Sequence, residues 1–265
     1  MKPLLCELSV HLTSEWRGRL LRTCVTLIDR LNPGGLDILL IDNASPIDPV
    51  PWMPGAWDDM GVCLATDGPI PVKPPGRTIM RFPDAIGHFH HNQGQDPPPK
   101  DGPGRSNMTS LQIAYASGYE RSVYQETDCL FVRPYEEGFS QLTKKVGCQD
   151  RTIQNYCDWN IRYHADLPWL RDFQFVEKYD WQNQKPDWMG APVGEFVYEH
   201  ILGDNLQILP MRGCRAGMAG VTTANLRERF SDGIEWITHA DQPCFEEFLA
   251  YTGFSDMIPV LRGEA

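Results

Sequence analysis

Glu126-Thr127-Asp128 sets two carboxylates two residues apart. On an extended strand, residues i and i+2 face the same side, so both acids would present oxygens to one point. Such a pair suits Mg²⁺ or Mn²⁺, which one or two carboxylates can hold while substrate phosphates fill further positions. The ion would offset charge on a leaving diphosphate. The bland alternative is a polar turn at a strand end. Asp42-Asn43 closes an apolar run in the same manner; there the choice lies between a ligand contact and an Asx-turn leaving the strand. His88-Phe89-His90-His91 is dense enough in imidazole to suggest a transition metal. Its Pro- and Gly-rich surroundings fit a mobile lid better. Trp159, Trp169, Trp181, Trp188 and Trp236 offer ring faces on which a sugar could stack, with core packing as the alternative for each.

These residues need elements to position them. Leu5 to Leu12 reads as a strand. Glu15 to Leu31 reads as a helix, with Trp16, Leu20, Cys24, Leu27, Ile28 and Leu31 on one face. Asn32-Pro33-Gly34-Gly35 stops it. Asp37 to Asp42 is continuously apolar between its acids, the pattern of a strand buried on both faces. Strand, helix, strand in this order implies a parallel unit. Gly61 to Thr66 reads as a third strand, between Pro-rich stretches at 43–60 and 67–78. The breakers across 84–105 predict a long irregular loop. Ser106 is expected to cap a second helix that ends at Gly118. Ser122 to Gln125 forms a strand running into the acid pair, and Cys129 to Val132 continues after it. The second half carries a Gly-rich stretch from Gly213 to Gly220, a helix near Thr223 to Phe230, and a last helix over about Asp241 to Tyr251. Ligands of open parallel sheets bind beyond the carboxyl ends of the strands, so Asp42 and the acid pair should share one rim.

Bulk properties narrow the function classes. The chain has 265 residues, 42% of them hydrophobic, enough for a substantial core. A formal net charge of −11 argues against a nucleic-acid backbone or an anionic membrane surface as partner. A dissolved anion stays open, because a bound cation inverts the local charge. The N-terminal run reads as no signal peptide, and nothing is long and apolar enough to span a membrane. The expectation is a cytoplasmic protein. The 8 cysteines contain no Cys-x-x-Cys pair, which disfavours a zinc ribbon; they read as buried free thiols in a reducing compartment.

The run Ile38-Leu39-Leu40-Ile41-Asp42-Asn43-Ala44-Ser45 resembles the second-strand signature of GT-A-fold glycosyltransferases. Gly104-Arg105-Ser106-Asn107, a helix containing Ala114 and Ala116, and Val123-Tyr124-Gln125-Glu126-Thr127-Asp128 resemble the approach to that fold's Asp-x-Asp motif. The resemblance covers roughly residues 4 to 135. It implies an α/β fold, GT-A-like (Rossmann-like), with a mixed, mostly parallel sheet and helices on both faces. Residues 1–135 would form the nucleotide-sugar-binding half and 136–265 the acceptor-binding half of one compact domain. It also implies roles. Asp42, with Asn43 beside it, would contact the base or ribose. Asp128 would hold Mn²⁺ or Mg²⁺, and Glu126 would contact the metal or the ribose. Arg105 would lie near the diphosphate. The first acid is Glu where the motif has Asp, and the extra methylene shifts its carboxylate.

In several such families a late histidine completes the metal site, which gives His239 that expectation. Asp241 would touch a sugar hydroxyl or act as general base; equally it is a good N-cap, with Pro243 in the first turn behind it. If the reaction inverts the anomeric carbon, Asp241 and Glu195 are the base candidates. The Gly213 to Gly220 run resembles a segment lining the sugar pocket. The implied partners are a UDP-, GDP- or dTDP-sugar donor and a glycan or other hydroxyl acceptor. Three rivals stand beside this reading: a nucleotidyltransferase, disfavoured by His11-Leu12-Thr13-Ser14 after the first strand; a metal-dependent hydrolase using His88, His90 and Asp128; and a non-catalytic carbohydrate-binding protein.

Overall fold

The computed structural model describes residues 3–65, 68–86, 102–151, 156–179 and 193–264, with side chains at 150–159, 193–197 and 218–219 excepted. The chain starts with β1 (Leu5–Val10), α1 (Glu15–Leu31) and β2 (Asp37–Asp42). Ser14 caps α1 by accepting the Arg17 N–H, and Leu20, Cys24, Leu27 and Ile28 form its buried stripe. Every residue of β2 is buried, as its uninterrupted apolar run requires. Next come β3 (Asp58–Val62), β4 (Arg77–Arg81), α2 (Gly102–Ala116), β5 (Ser122–Glu126) and β6 (Cys129–Phe131). The second half holds α3 (Tyr135–Ser140), β7 (Val146–Arg151), β8 (Tyr156–His164), α4 (Leu167–Asp172), α5 (Phe175–Tyr179), α6 (Val193–Leu202) and β9 (Leu206–Leu209). It ends with β10 (Gly213–Arg215), α7 (Ala216–Ala219), α8 (Leu226–Arg229), β11 (Trp236–Thr238), α9 (Gln242–Tyr251) and α10 (Ile258–Arg262).

Eight strands form one sheet in the order β3-β4-β2-β1-β5-β8-β7-β9. Pairing is parallel except where β8 runs antiparallel to β5 and β7. The sheet is therefore mixed and mostly parallel, and strands from both halves of the chain share it. Alternation along β1 separates two cores. Cys6, Leu8 and Val10 pack with α1 and with residues of α9 and α10; Leu5 packs with α2, α4, α5 and α6. Each leucine or isoleucine fully buried in these layers stabilises by roughly 2 kcal/mol relative to exposure. Helices thus cover both faces. A second sheet, β10-β11-β6, stands at the end of β5.

Four local expectations are corrected. The third strand lies at Asp58–Val62 rather than Gly61 to Thr66, and the neighbouring β4 was not anticipated. Its apolar centre, Thr78-Ile79-Met80, is fully buried yet too short to stand out among flanking prolines. The second helix starts at Gly102, four residues before Ser106. Pro103 sits in its first turn, where the missing N–H costs no intrahelical bond. The helix expected near Thr223 to Phe230 is the single turn of α8. Finally, Cys148 is disulfide-bonded, whereas Cys6, Cys24, Cys63, Cys129, Cys214 and Cys244 are free, with Cys63 only half-buried. Pairing of thiols is set by which strands lie together, and nothing in linear spacing reports it.

Candidate functional site

The site is built at the carboxyl ends of the central strands. β1 runs between β2 and β5 in parallel, with Val10 beside Asp42 and Ser9 beside Glu126. The two acidic strand ends therefore sit on one rim, with one strand between them.

At the β5 end, the chain turns through Thr127 and Asp128 into β6. Thr127 donates its hydroxyl to the Ser9 carbonyl at 3.0 Å, pinning the turn to β1. On the other side, β11 pairs antiparallel with β6, Thr238 opposite Cys129. The next residues in that register are His239 and Asp128. Carboxylate oxygens of Glu126 and Asp128 and a ring nitrogen of His239 all lie within 4.8 Å of one another. Glu126 and Asp128 are half-buried and His239 is exposed, so the cluster opens to solvent. His239 adopts φ 51°, a left-handed conformation uncommon outside glycine. Its carbonyl accepts the Gly217 N–H at 3.4 Å, which brings the Gly213 to Gly220 run alongside it. β10 supports this placement by pairing parallel with β11.

The donor set fits a divalent cation. Carboxylate oxygens suit Mg²⁺ and Mn²⁺, and an imidazole nitrogen tilts the choice toward a transition metal. An ion with bonds of about 2.1 Å separates opposite ligands by about 4.2 Å, so the three atoms are close to a coordinating spacing. Three protein ligands would leave positions for phosphate oxygens and water.

The β2 end differs. Asp42 is buried, and both its oxygens are engaged. Oδ1 accepts the Ser45 N–H at 3.0 Å and the Ser45 hydroxyl at 2.5 Å. Oδ2 accepts from Arg81 at 3.1 Å. The turn-forming bond weighed for Asp42 is thus present, together with an ion pair the sequence had not suggested. Arg81 also pairs with Asp59 at 2.9 Å and Asp48 at 3.1 Å. Partial burial opposes its charge, yet Asp59, Asp42 and Asp48 hold its pKa above the ordinary value. The Arg81 hydrogen bond in turn lowers the Asp59 carboxyl.

Arg105, fully buried in the first turns of α2, belongs to this same end. It donates to the Asn43 side-chain oxygen, to the Asp84 carbonyl at 2.6 Å and to the Asp84 carboxylate at 3.2 Å. Its guanidinium lies 3.8 Å from the centre of the Phe82 ring. Burial lowers its pKa against the pull of Asp84. His11 donates from Nδ1 to the Asn43 carbonyl at 3.0 Å, and Ala44 follows with φ 53°.

Asp241 is the N-cap of α9, accepting the Cys244 N–H at 3.0 Å. Glu195 lies in α6, and its side chain is outside the described residues, as are His88, His90, His91, Trp181, Trp188 and the side chain of Trp159. Trp236 is removed from the acceptor candidates: it is fully buried, with Gly213 against its ring, and donates to the Met211 carbonyl at 3.2 Å. Trp169 stacks on Phe173 at 4.7 Å. Thr238, Arg81, Phe82 and Asp84 are the residues the sequence reading gave no role. An Arg directly after the apolar pair Ile79-Met80 was the one available signal for Arg81.

No family model matches the sequence, and no curated protein matches it. Solved structures match its fold. The bifunctional glycosyltransferase WbbM superposes with a TM-score of 0.58 at 8% identity, over 98% of this chain and 51% of that one. The glycosyltransferase GlyE of Streptococcus pneumoniae TIGR4 gives 0.55 at 9%, over 99% and 63%. The galactosyltransferase LgtC, in complex with donor and acceptor sugar analogues, gives 0.55 at 11%, over 94% and 95%. The chain thus spans about half the length of WbbM and under two thirds of GlyE. Its fold is that of the GT-A-type glycosyltransferases.

Proposed function

We propose that this chain transfers a glycosyl group from a nucleoside-diphosphate sugar to a hydroxyl acceptor, with a divalent cation at Asp128, Glu126 and His239. The observation that carries the reading is the convergence of these three side chains at the carboxyl rim of a GT-A sheet. A bound cation would supply Lewis-acid stabilisation of the departing diphosphate. Asp128, in a turn tied to β1 through Thr127 and to β11 through Thr238, is the principal ligand. Glu126 contacts the ion or the ribose, and His239 closes the set from the exposed side. The Asp42-Asn43 turn marks the base or ribose end of the rim in this reading, with Asp42 itself shaping the turn. Arg105 stabilises that end of the rim, and a diphosphate would reach its charge by competing with Asp84.

Residues 1–135 carry the donor side and residues 136–265 the acceptor side in this reading. Asp241 and Glu195 are the carboxylates offered as base for an inverting reaction; the cap bond of Asp241 supports a structural duty as well. No helix among the described residues is long and apolar enough to cross a membrane. We assign the protein to the cytoplasm on the six free thiols among its described residues, set against the disulfide at Cys148. The likeness to transferases gives the hydrolase reading no support.

A thermal-shift screen of UDP, GDP and dTDP, each with and without Mn²⁺, tests the proposal. A ligand at a hundred times its Kd stabilises by about 2.7 kcal/mol. The expected result is a shift for one nucleotide that requires the metal. No shift with any nucleotide in the presence of Mn²⁺ refutes it.

A further inference from the structure

We infer that Thr238 is a positioning residue of this site, its hydroxyl holding Asp128 in register with His239; the inference rests on the metal-site reading above. Thr238 is the last residue of β11 and is fully buried. Its Oγ donates to the Asp128 carbonyl at 3.0 Å, and the Asp128 carboxylate Oδ1 lies 3.4 Å from the same hydroxyl. One side chain therefore touches both the backbone and the ligating group of the principal acid. It also precedes the second ligand directly, so any slip of β11 against β6 would move His239 and Asp128 apart.

The strand itself does not need a hydroxyl at this place. Valine is β-branched, of similar shape and equally suited to a buried strand position. What valine lacks is the donor, and without it the Asp128 carbonyl loses its bond to β11. The acid turn then keeps the Thr127 bond to β1 but loses the hydroxyl that touches Asp128 itself. The left-handed backbone of His239 is a second sign that this segment is held by its surroundings. Main-chain pairing of β6 with β11 is short, Cys129–Phe131 against Trp236–Thr238 with one further bond from the Val132 N–H to the Glu235 carbonyl, and Thr238 adds a side-chain anchor at its open end.

The test titrates Mn²⁺ alone into the whole chain by isothermal calorimetry, with the free ion checked by electron paramagnetic resonance. Thr238→Val is expected to weaken Mn²⁺ binding about tenfold, while the melting temperature without metal stays within a few degrees. Thr238→Ser, which restores the hydroxyl, is expected to bind within about twofold of the unmodified protein. Should the valine variant fail to fold, Thr238→Ala is read in its place. Unchanged Mn²⁺ affinity in a folded valine or alanine variant overturns the inference, as does a serine variant as weak as valine. A different pattern marks failure of the metal site itself: no binding by the unmodified protein, or binding that Asp128→Asn leaves untouched.

Discussion

Two strands of one sheet end in acids on the same rim, and the structure treats them in opposite ways. At the β2 end, Asp42 is buried and its charge is answered within the protein by Arg81 and Ser45. At the β5 end, Glu126 and Asp128 converge with an exposed histidine and face solvent. A buried carboxylate must be paired, because an unpaired one costs several kcal/mol. A half-exposed acid pair can wait for a cation. The same local pattern, an apolar strand followed by an acid, thus serves the fold at one place and leaves ligating groups open at the other. The difference lies in what the neighbouring strand brings: β4 supplies an arginine beside Asp42, whereas β11 supplies a threonine, and the residue after it a histidine, beside Asp128.

The comparison breaks most sharply at the two aspartates. Asp128→Asn is expected to lower glycosyl transfer by roughly a hundredfold or more, with little change in the metal-free melting temperature. Kinetics at saturating Mn²⁺ beside a thermal melt checks both halves; full activity removes Asp128 from the site. Asp42→Asn should show the reverse emphasis. It removes charge from a bond to Arg81 and is expected to cost about 2 kcal/mol of stability, read from urea unfolding. Equal stability of the two variants would erase the distinction drawn between the strand ends.

How far these ends could be read from sequence follows the same division. β1, α1, β2 and β5 were legible because their periodicity and punctuation are local, and so was the N-cap of α9 at Asp241. Glu126 and Asp128 were legible as a pair by their spacing, although a turn through Thr127 and Asp128, not the extended strand expected, is what brings them together. The partners of Asp42 were not. Arg81 lies 39 residues downstream in a strand whose buried centre is three residues long, and only the parallel register of β2 with β4 places it there. Asp84 and Phe82 beside Arg105 were hidden for the same reason. The companionship of His239 with the acid pair came from the family resemblance, and Thr238 beside it carried no role of its own, because a threonine in a strand carries no signal until its neighbour across the ladder is known. Trp236 shows the converse: an aromatic that composition offers to a sugar is consumed by the core.

A smaller effect sharpens the exposed end. His239→Ala removes one of three converging ligands and is expected to weaken Mn²⁺ binding about tenfold, or roughly 1.4 kcal/mol. The exposed ring makes few packing contacts, so the melting temperature without metal should hold. Affinity unchanged by the substitution would leave the acids as the whole of the protein's contribution.

The smallest expected effect separates two duties at Asp241. Its carboxylate caps α9 through the Cys244 N–H, and loss of such a cap costs about 1 kcal/mol. Asp241→Ala should therefore lower stability by about that amount, and Asp241→Asn, whose side-chain oxygen still accepts the bond, should restore it. Asparagine cannot take a proton from a sugar hydroxyl. If the asparagine variant keeps its melting temperature and its transfer rate, Asp241 belongs with Asp42, an acid employed by the fold. If its rate falls about a hundredfold at unchanged stability, the size expected for loss of a general base, the carboxylate belongs with Asp128, and a helix cap and a catalytic base share one side chain.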